Sequence, residues 1–245
     1  MKQDIYTVEE NTPLAEGVFR MRLRGDTSAV TRPGQFINIR LDGKFLRRPI
    51  SVCDWDDGTI TIIYKLLGDG TERMSRYPAG KTLDVLTGLG NGFDVGRAGE
   101  RPLLIGGGVG TPPMYALAKQ LLAAGKRVQA VLGFNSAADV FYADELRDLG
   151  AAVRVATADG SRGVKGFVTD ALAGLDYSYY YACGPEPMLR AVWKTAVTDG
   201  ELSFEERMGC GFGACMGCTC KTLTGFKRIC RDGPVLRKGE LLWDD

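Results

Sequence analysis

LLIGGGVGTPPM, residues 103–114, decides the fold. An apolar run ends in glycines, and a threonine and two prolines open a stretch of helical spacing that stops at Gly125. This is a strand, a tight loop and a helix, with proline in the first turn and glycine past the end. Outward from it, RVQAVLGF (127–134), AVRVAT (152–157) and YSYYYACG (177–184) read as further buried strands. ADVFYADELRDLG (138–150) reads as a turn and helix, and GFVTDALAGL (166–175) and PEPMLRAVWKTAVTDG (185–200) read as helices. The alternation predicts a parallel sheet with helices on both faces. Ligands of such sheets bind at the carboxyl ends of the strands. There Gly106, Gly107, Gly108 and Gly110, with Thr111, would let a phosphate approach the backbone beside a helix N-terminus and its free N–H groups. The spacing is not G-x-G-x-x-G, and a purely structural turn is the alternative. CGPEPM (183–188) places a second glycine–proline loop at a carboxyl end. Cys183 there lines a nicotinamide pocket or is a small apolar packer. Asn135 and Ser136 follow the second strand where a 2′-phosphate would need a cation, which favours NAD over NADP.

Upstream the period changes from helical to two. EGVFRMRLRG (16–25) and RPGQFINIRL (32–41) alternate apolar and polar residues. RRPISVCDWDDGTITIIYKLLG (47–68) holds two β-rich runs around an Asp-Asp-Gly turn, and GKTLDVLTGLGNGF (80–93) adds another strand. Short strands with frequent turns predict a small antiparallel barrel or sandwich. GRAGE (96–100) is a plausible linker, giving a barrel over 1–97, an α/β domain over 98–200 and a small module over 201–245. In the barrel, Arg48 offers a planar fork for a pyrophosphate and Ser51 a hydroxyl for a ring edge. Tyr64 either stacks on a ring or packs in a core. Taken alone, RRPISV (47–52) is also compatible with an ordinary strand.

The last stretch carries thiols. Cys210-x4-Cys215-x2-Cys218 precedes Cys230 by eleven residues. The first three match a plant-type [2Fe–2S] spacing, and the glycines and alanine between them suit a loop folded round a small cluster. Four thiolates are needed because each tetrahedral iron takes two besides the bridging sulfides. Structural zinc usually uses two C-x2-C pairs, and only one is present. A disulfide or a nucleophile is weaker still. Cys220 is left out of the ligand set, and Cys53 is expected in the core.

Composition bounds the rest. With 44% apolar and 25% charged residues the chain is of globular type, and a net charge of +1 provides no field for nucleic acid. No apolar run is long enough to span a membrane. The opening MKQDIYTVEENTPLAEGVF has no apolar signal-peptide core, so a cytoplasmic location is expected. The 245 residues contain no histidine, which excludes Ser–His and Cys–His nucleophile pairs, His-ligated zinc and Rieske centres.

A barrel with RPIS (48–51), then GGGVGTPPM (106–114) and CGPEPM (183–188), resembles the ferredoxin–NADP reductase superfamily. That resemblance implies FAD on the barrel and a pyridine nucleotide on the α/β domain. The superfamily's usual motif is R-x-Y-S. Here Pro49 and Ile50 fill the middle positions, so the ring contact usually made by the tyrosine must differ. EERMGCGFGACMGCTCK (205–221) with CRDGP (230–234) resembles the electron-transfer subunit family of NAD-linked (class B) dihydroorotate dehydrogenases, over essentially the whole chain.

The family resemblance implies Cys210, Cys215, Cys218 and Cys230 as cluster ligands. It implies FAD contacts from Arg48, Pro49, Ile50, Ser51, Ile63, Tyr64, Lys65, Gly70 and Thr71; from their own chemistry, Ser51 and Cys183 are the catalytic candidates. It implies a partner subunit with FMN that oxidises dihydroorotate in pyrimidine synthesis, joined in an α2β2 heterotetramer. Electrons would pass from that FMN through the cluster and FAD to NAD+. The chain has no room for a (β/α)8 barrel of about 250 residues of its own. A reductase subunit serving ferredoxin or a sulfur-reducing partner, and a redox sensor, are the alternatives. Lys221, Lys227, Arg228, Arg231, Arg237 and Lys238 form either a docking patch or a solvated face.

Overall fold

The computed structural model describes residues 1–243. Six antiparallel strands open the chain: β1 (Lys2–Ala15), β2 (Val18–Arg24), β3 (Phe36–Ile39), β4 (Arg48–Asp56), β5 (Thr59–Lys65) and, after helix α1 (Asp69–Ser75), β6 (Thr82–Leu89). They close into a barrel in the order β1-β2-β5-β4-β3-β6. Alternation explains the closure. Met21 and Leu23 on β2 are fully buried, and Arg20, Arg22 and Arg24 between them face outward. Tyr6, Ile37, Ile39, Val52, Ile60, Ile62 and Val85 complete the interior. Each large apolar side chain so buried contributes about 1.5–3 kcal/mol.

The second half is a seven-stranded sheet. Its strands and helices are β7 (Pro102–Gly107), α2 (Pro112–Ala123), β8 (Gln129–Phe134), α3 (Ala143–Asp148), β9 (Ala152–Thr157), β10 (Val164–Lys165), β11 (Tyr179–Cys183), α4 (Glu186–Thr195) and β12 (Gly200–Ser203). A hairpin of β13 (Thr219–Thr222) and β14 (Gly225–Arg228) follows, and β15 (Val235–Arg237) returns to the sheet. The order is β10-β9-β8-β7-β11-β12-β15, parallel except for β15. On one face Leu104, Ala130 and Leu132 pack with Leu117 and Leu121 of α2 and Leu146 of α3. On the other, Leu103, Ile105, Val131 and Tyr180 pack with Leu189 and Val192 of α4.

Two expected helices differ. Residues 166–175 make only a single 3-10 turn at Asp170–Leu172, because glycines bracket it and the Asp170 carboxylate accepts the Phe167 N–H at 2.7 Å. The helix expected to run to residue 200 ends at Thr195, and the chain enters β12 five residues later. The sheet therefore takes residues on both sides of the cysteines, with Ser203 of β12 opposite Val235 of β15.

Barrel and sheet are joined tightly. Lys119 on α2 pairs with Asp54 on β4 at 2.7 Å, beside the fully buried Cys53. Tyr181 Oη donates to the Asp94 carbonyl at 2.8 Å, and Glu201 accepts the Asp94 N–H at 2.9 Å. Burial raises the Glu201 carboxyl to about 7.

Candidate active site and thiol centre

A cleft of about 1120 Å³ runs between the barrel wall and the carboxyl ends of the sheet. That exceeds the ~300–1,000 Å³ typical of one small-ligand pocket. Arg48, Pro49, Ile50, Ser51, Ile63, Tyr64, Lys65, Gly70 and Thr71 line its barrel side. Gly107, Gly108, Gly110 and Cys183 line its sheet side. Gly106 and Thr111 lie outside the lining. Thr111 is fully buried, and a Cβ on Gly106 would sit 2.9 Å from its Cα, so this pair packs β7 against the start of α2.

The glycines have different duties. Only Gly108, at φ +51°, faces open space. A Cβ on Gly107 would overlap Met188, and one on Gly110 would overlap the carbonyl of Cys183. Gly110 thus lets the first glycine loop touch the second. Cys183 sits beside Ser203 across the β11–β12 pairing. Burial pushes its thiol up to about 12, so it is neutral at physiological pH, although a hydrogen bond with Ser203 acts the other way.

On the barrel side, Arg48 lies across Gly70, where a Cβ would sit 2.5 Å from its Nε, and donates to the Leu46 carbonyl at 2.8 Å. Ser51 is half-buried opposite Phe36 of β3. Thr71 serves its own turn: its hydroxyl accepts the Leu67 N–H at 2.8 Å and donates to the Gly68 carbonyl at 3.1 Å. Tyr64 turns into the barrel, stacked on Phe19, with its hydroxyl donating to Asn11 at 2.8 Å. Its ring packs in the core while the residue still borders the cleft. Ile63, one residue earlier on the strand, faces the cleft side. Phe36, Glu205, Met208 and Pro234 also line the cleft. Glu205, Met208 and Pro234 lie inside the two cysteine motifs, which speak for thiols and not for a place in this cleft, and Phe36 lies in no motif.

The thiols stand two by two. The N–H of Cys210 points at Cys215 Sγ at 3.4 Å, and that of Cys215 points at Cys210 Sγ at 3.5 Å. The N–H of Cys230 points at Cys218 Sγ at 3.4 Å. Phe212 and Ala214 direct further N–H groups at Cys210 Sγ, at 3.5 and 3.2 Å. Burial raises the Cys210 thiol, but the N–H groups of Cys215, Phe212 and Ala214 outweigh it and bring it to about 6. Burial and the neighbouring Cys218 push Cys230 up to about 12.

Among the described residues no three Cys, Asp or Glu side chains converge on one metal-ion position. Two facing thiol pairs with amides aimed at sulfur suit a two-iron cluster, in which each iron takes two cysteines. Cys220 is half-buried on β13 opposite Lys227 and lines an adjoining cavity of about 640 Å³ that shares Arg48, Pro49 and Glu205 with the cleft.

Comparison with known proteins agrees in each part. Residues 104–194 match the oxidoreductase NAD-binding domain, and residues 205–242 match the iron–sulfur cluster binding domain of dihydroorotate dehydrogenase B. The electron transfer subunit of dihydroorotate dehydrogenase B (NAD(+)) from a Geobacillus species, strain WCH70, is 43% identical, over 99% of each chain. That from Fusobacterium nucleatum is 44% identical, over 96% of each. The chain belongs to this family. The family's electron-transfer fold is also seen in a solved NADH-dependent reduced ferredoxin-NADP oxidoreductase, described for flavin-based electron bifurcation. It superposes with a TM-score of 0.89 at 30% identity, covering 98% of this chain and 90% of that one.

Proposed function

We propose that this chain moves electrons from an FMN-containing, dihydroorotate-oxidising partner to NAD+, as one half of an α2β2 assembly in the cytoplasm. It is an oxidoreductase electron-transfer subunit, and its cofactors are FAD, a [2Fe–2S] cluster and NAD. When bound, FAD would supply both hydride exchange with NAD and single-electron exchange with the cluster, which is why both are needed. The observation that carries this reading is the junction: flavin strand, nucleotide loops and thiol segment all border one cleft.

The chain's own residues position these groups. Arg48 presents its fork over Gly70 for a pyrophosphate, and Ile50 with Ser51 flanks the ring. The backbone at Gly108 is open to a dinucleotide phosphate, and Cys183 would present a neutral thiol to the nicotinamide. Cys210 with Cys215, and Cys218 with Cys230, would hold one iron each. No helix among the described residues is long and apolar enough to cross a membrane.

Co-expression with a dihydroorotate-oxidising FMN subunit tests the function. The two should co-purify and reduce NAD+ with dihydroorotate, whereas this chain alone should pass electrons only between NADH and a dye. Reduction of ferredoxin at a comparable rate, with no binding of the FMN subunit, would select the ferredoxin-linked alternative.

A further inference from the structure

The thiol segment is tied to the barrel by two asparagines, and their hydrogen bonding differs. Asn91, just past β6, is fully used: its Nδ2 donates to the Val235 carbonyl at 2.8 Å and its Oδ1 accepts the Val235 N–H at 3.1 Å. It fixes the chain where it returns to the sheet. Asn38 lies in the middle of β3, within the all-buried run Phe36–Ile39, and is 1% exposed. Its Nδ2 donates to the carbonyl of Cys210 at 3.2 Å. Its Oδ1 is buried and has no partner among the described residues.

An unpartnered buried amide oxygen is costly, and an aliphatic residue would fill this position without one. The asparagine is therefore kept for its N–H. The other side of the contact is equally specific. Gly211, at φ +78°, lies so close that a Cβ there would overlap Asn38 Nδ2. Asn38 also pairs across the ladder with Pro49, inside the strand assigned to the flavin. One side chain thus reaches from the strand paired with the flavin strand to the backbone of a cysteine.

We infer that Asn38 is a positioning residue that sets the separation and orientation of the Cys210 limb relative to the flavin strand, and so the rate of electron exchange between cluster and FAD. This rests on the function proposed above. Electron exchange falls steeply with separation, so a small outward shift of this limb slows it without touching either cofactor's chemistry.

The test uses the full chain carrying flavin and iron, as native protein, Asn38→Leu, Asn38→Asp and Gly211→Ala. Leucine and aspartate both remove the donor, and alanine at 211 forces the loop away from the other side. The ratio of cluster reduction by NADH to dye reduction by NADH should fall at least tenfold in all three. The electron paramagnetic resonance spectrum of the reduced centre should change with it. In iron-free protein, alkylation of Cys210 should become faster. Native ratios and spectra in Asn38→Leu and Gly211→Ala would overturn the assignment. If a variant carries no iron, alkylation decides: faster labelling of Cys210 supports it, and unchanged labelling overturns it. A native chain without acid-labile sulfide would instead overturn the function itself.

Discussion

Two glycine-rich loops carry the chemistry, and they use glycine for opposite ends. In the loop at 106–110 three of four glycines are small because other parts of the protein press on them: Thr111, Met188 and the Cys183 backbone. That loop is held by the sheet whether or not a ligand is bound. In the loop at 209–217 Gly211 and Gly213 take the left-handed backbone, at φ +78° and +94°, and the N–H groups of Cys210, Phe212, Ala214 and Cys215 between and beside them point inward, toward the sulfurs of Cys210 and Cys215. It has little regular structure and few buried side chains, so its contacts depend on what the thiols hold. The nucleotide end is held by packing, and the thiol end by the Asn38 hydrogen bond and by whatever its thiols would ligate.

Cys218→Ala probes the thiol end and should have the largest effect. It removes half of a buried ligand pair, so iron and labile sulfide should be nearly absent from the purified chain. NADH-to-dye electron flow, which needs only the other end, should survive. Full iron content in this variant would undo the ligand assignment. Gly110→Ala attacks the packed end. Its methyl group meets backbone that cannot step aside, and the thermal midpoint should show a loss of about 3 kcal/mol or more.

Glu201 sits away from both ends, where barrel and sheet meet, on β12 beneath the Asp94 peptide. Its carboxyl titrates near 4.5 in the unfolded chain and near 7 in the fold, chiefly through burial. The native state therefore holds the proton more firmly between those values. Stability from this group is greatest at low pH and is lost as pH rises through about 7, by up to about 3 kcal/mol. Glu201→Gln keeps an acceptor for the Asp94 N–H and should flatten the decline between pH 5 and 8 in thermal unfolding. An unchanged slope would place the titration elsewhere. The smallest effect belongs to Gly108→Ala. The space is open and only the left-handed backbone objects, at about 1–2 kcal/mol. A loss as large as that of Gly110→Ala would erase the contrast between the two positions.

Much of this was legible from the residues. Arg20, Met21, Arg22 and Leu23 alternate plainly, and the strand–loop–helix at 103–114 announces a parallel sheet. The cysteine spacing names its chemistry. The same period of two places Tyr64 with Ile60 and Ile62 inside the barrel, a stricter guide than the chemistry of its ring. Other features depend on partners distant in the chain. β12 is four residues long and forms only because β11 offers it an edge. Nothing near Gly110 reveals that Cys183 lies against it, and nothing near Asn38 reveals Cys210. Local pattern records which face of an element is buried, but not what buries it.

The pairing of Ser203 with Val235 has one more consequence. The chain leaves the sheet and re-enters it at adjacent antiparallel positions, with the Phe204 N–H donating to the Pro234 carbonyl at 2.9 Å. Topologically, everything from 204 to 234 is the tip of a single edge hairpin. Such a tip can grow or shrink without rethreading the sheet, and loop-closure entropy rises only slowly with its length. The electron carrier is in that sense a cassette. A reductase that lacks it needs only a tight turn in its place, and a sheet with a free edge is all that is required to receive it.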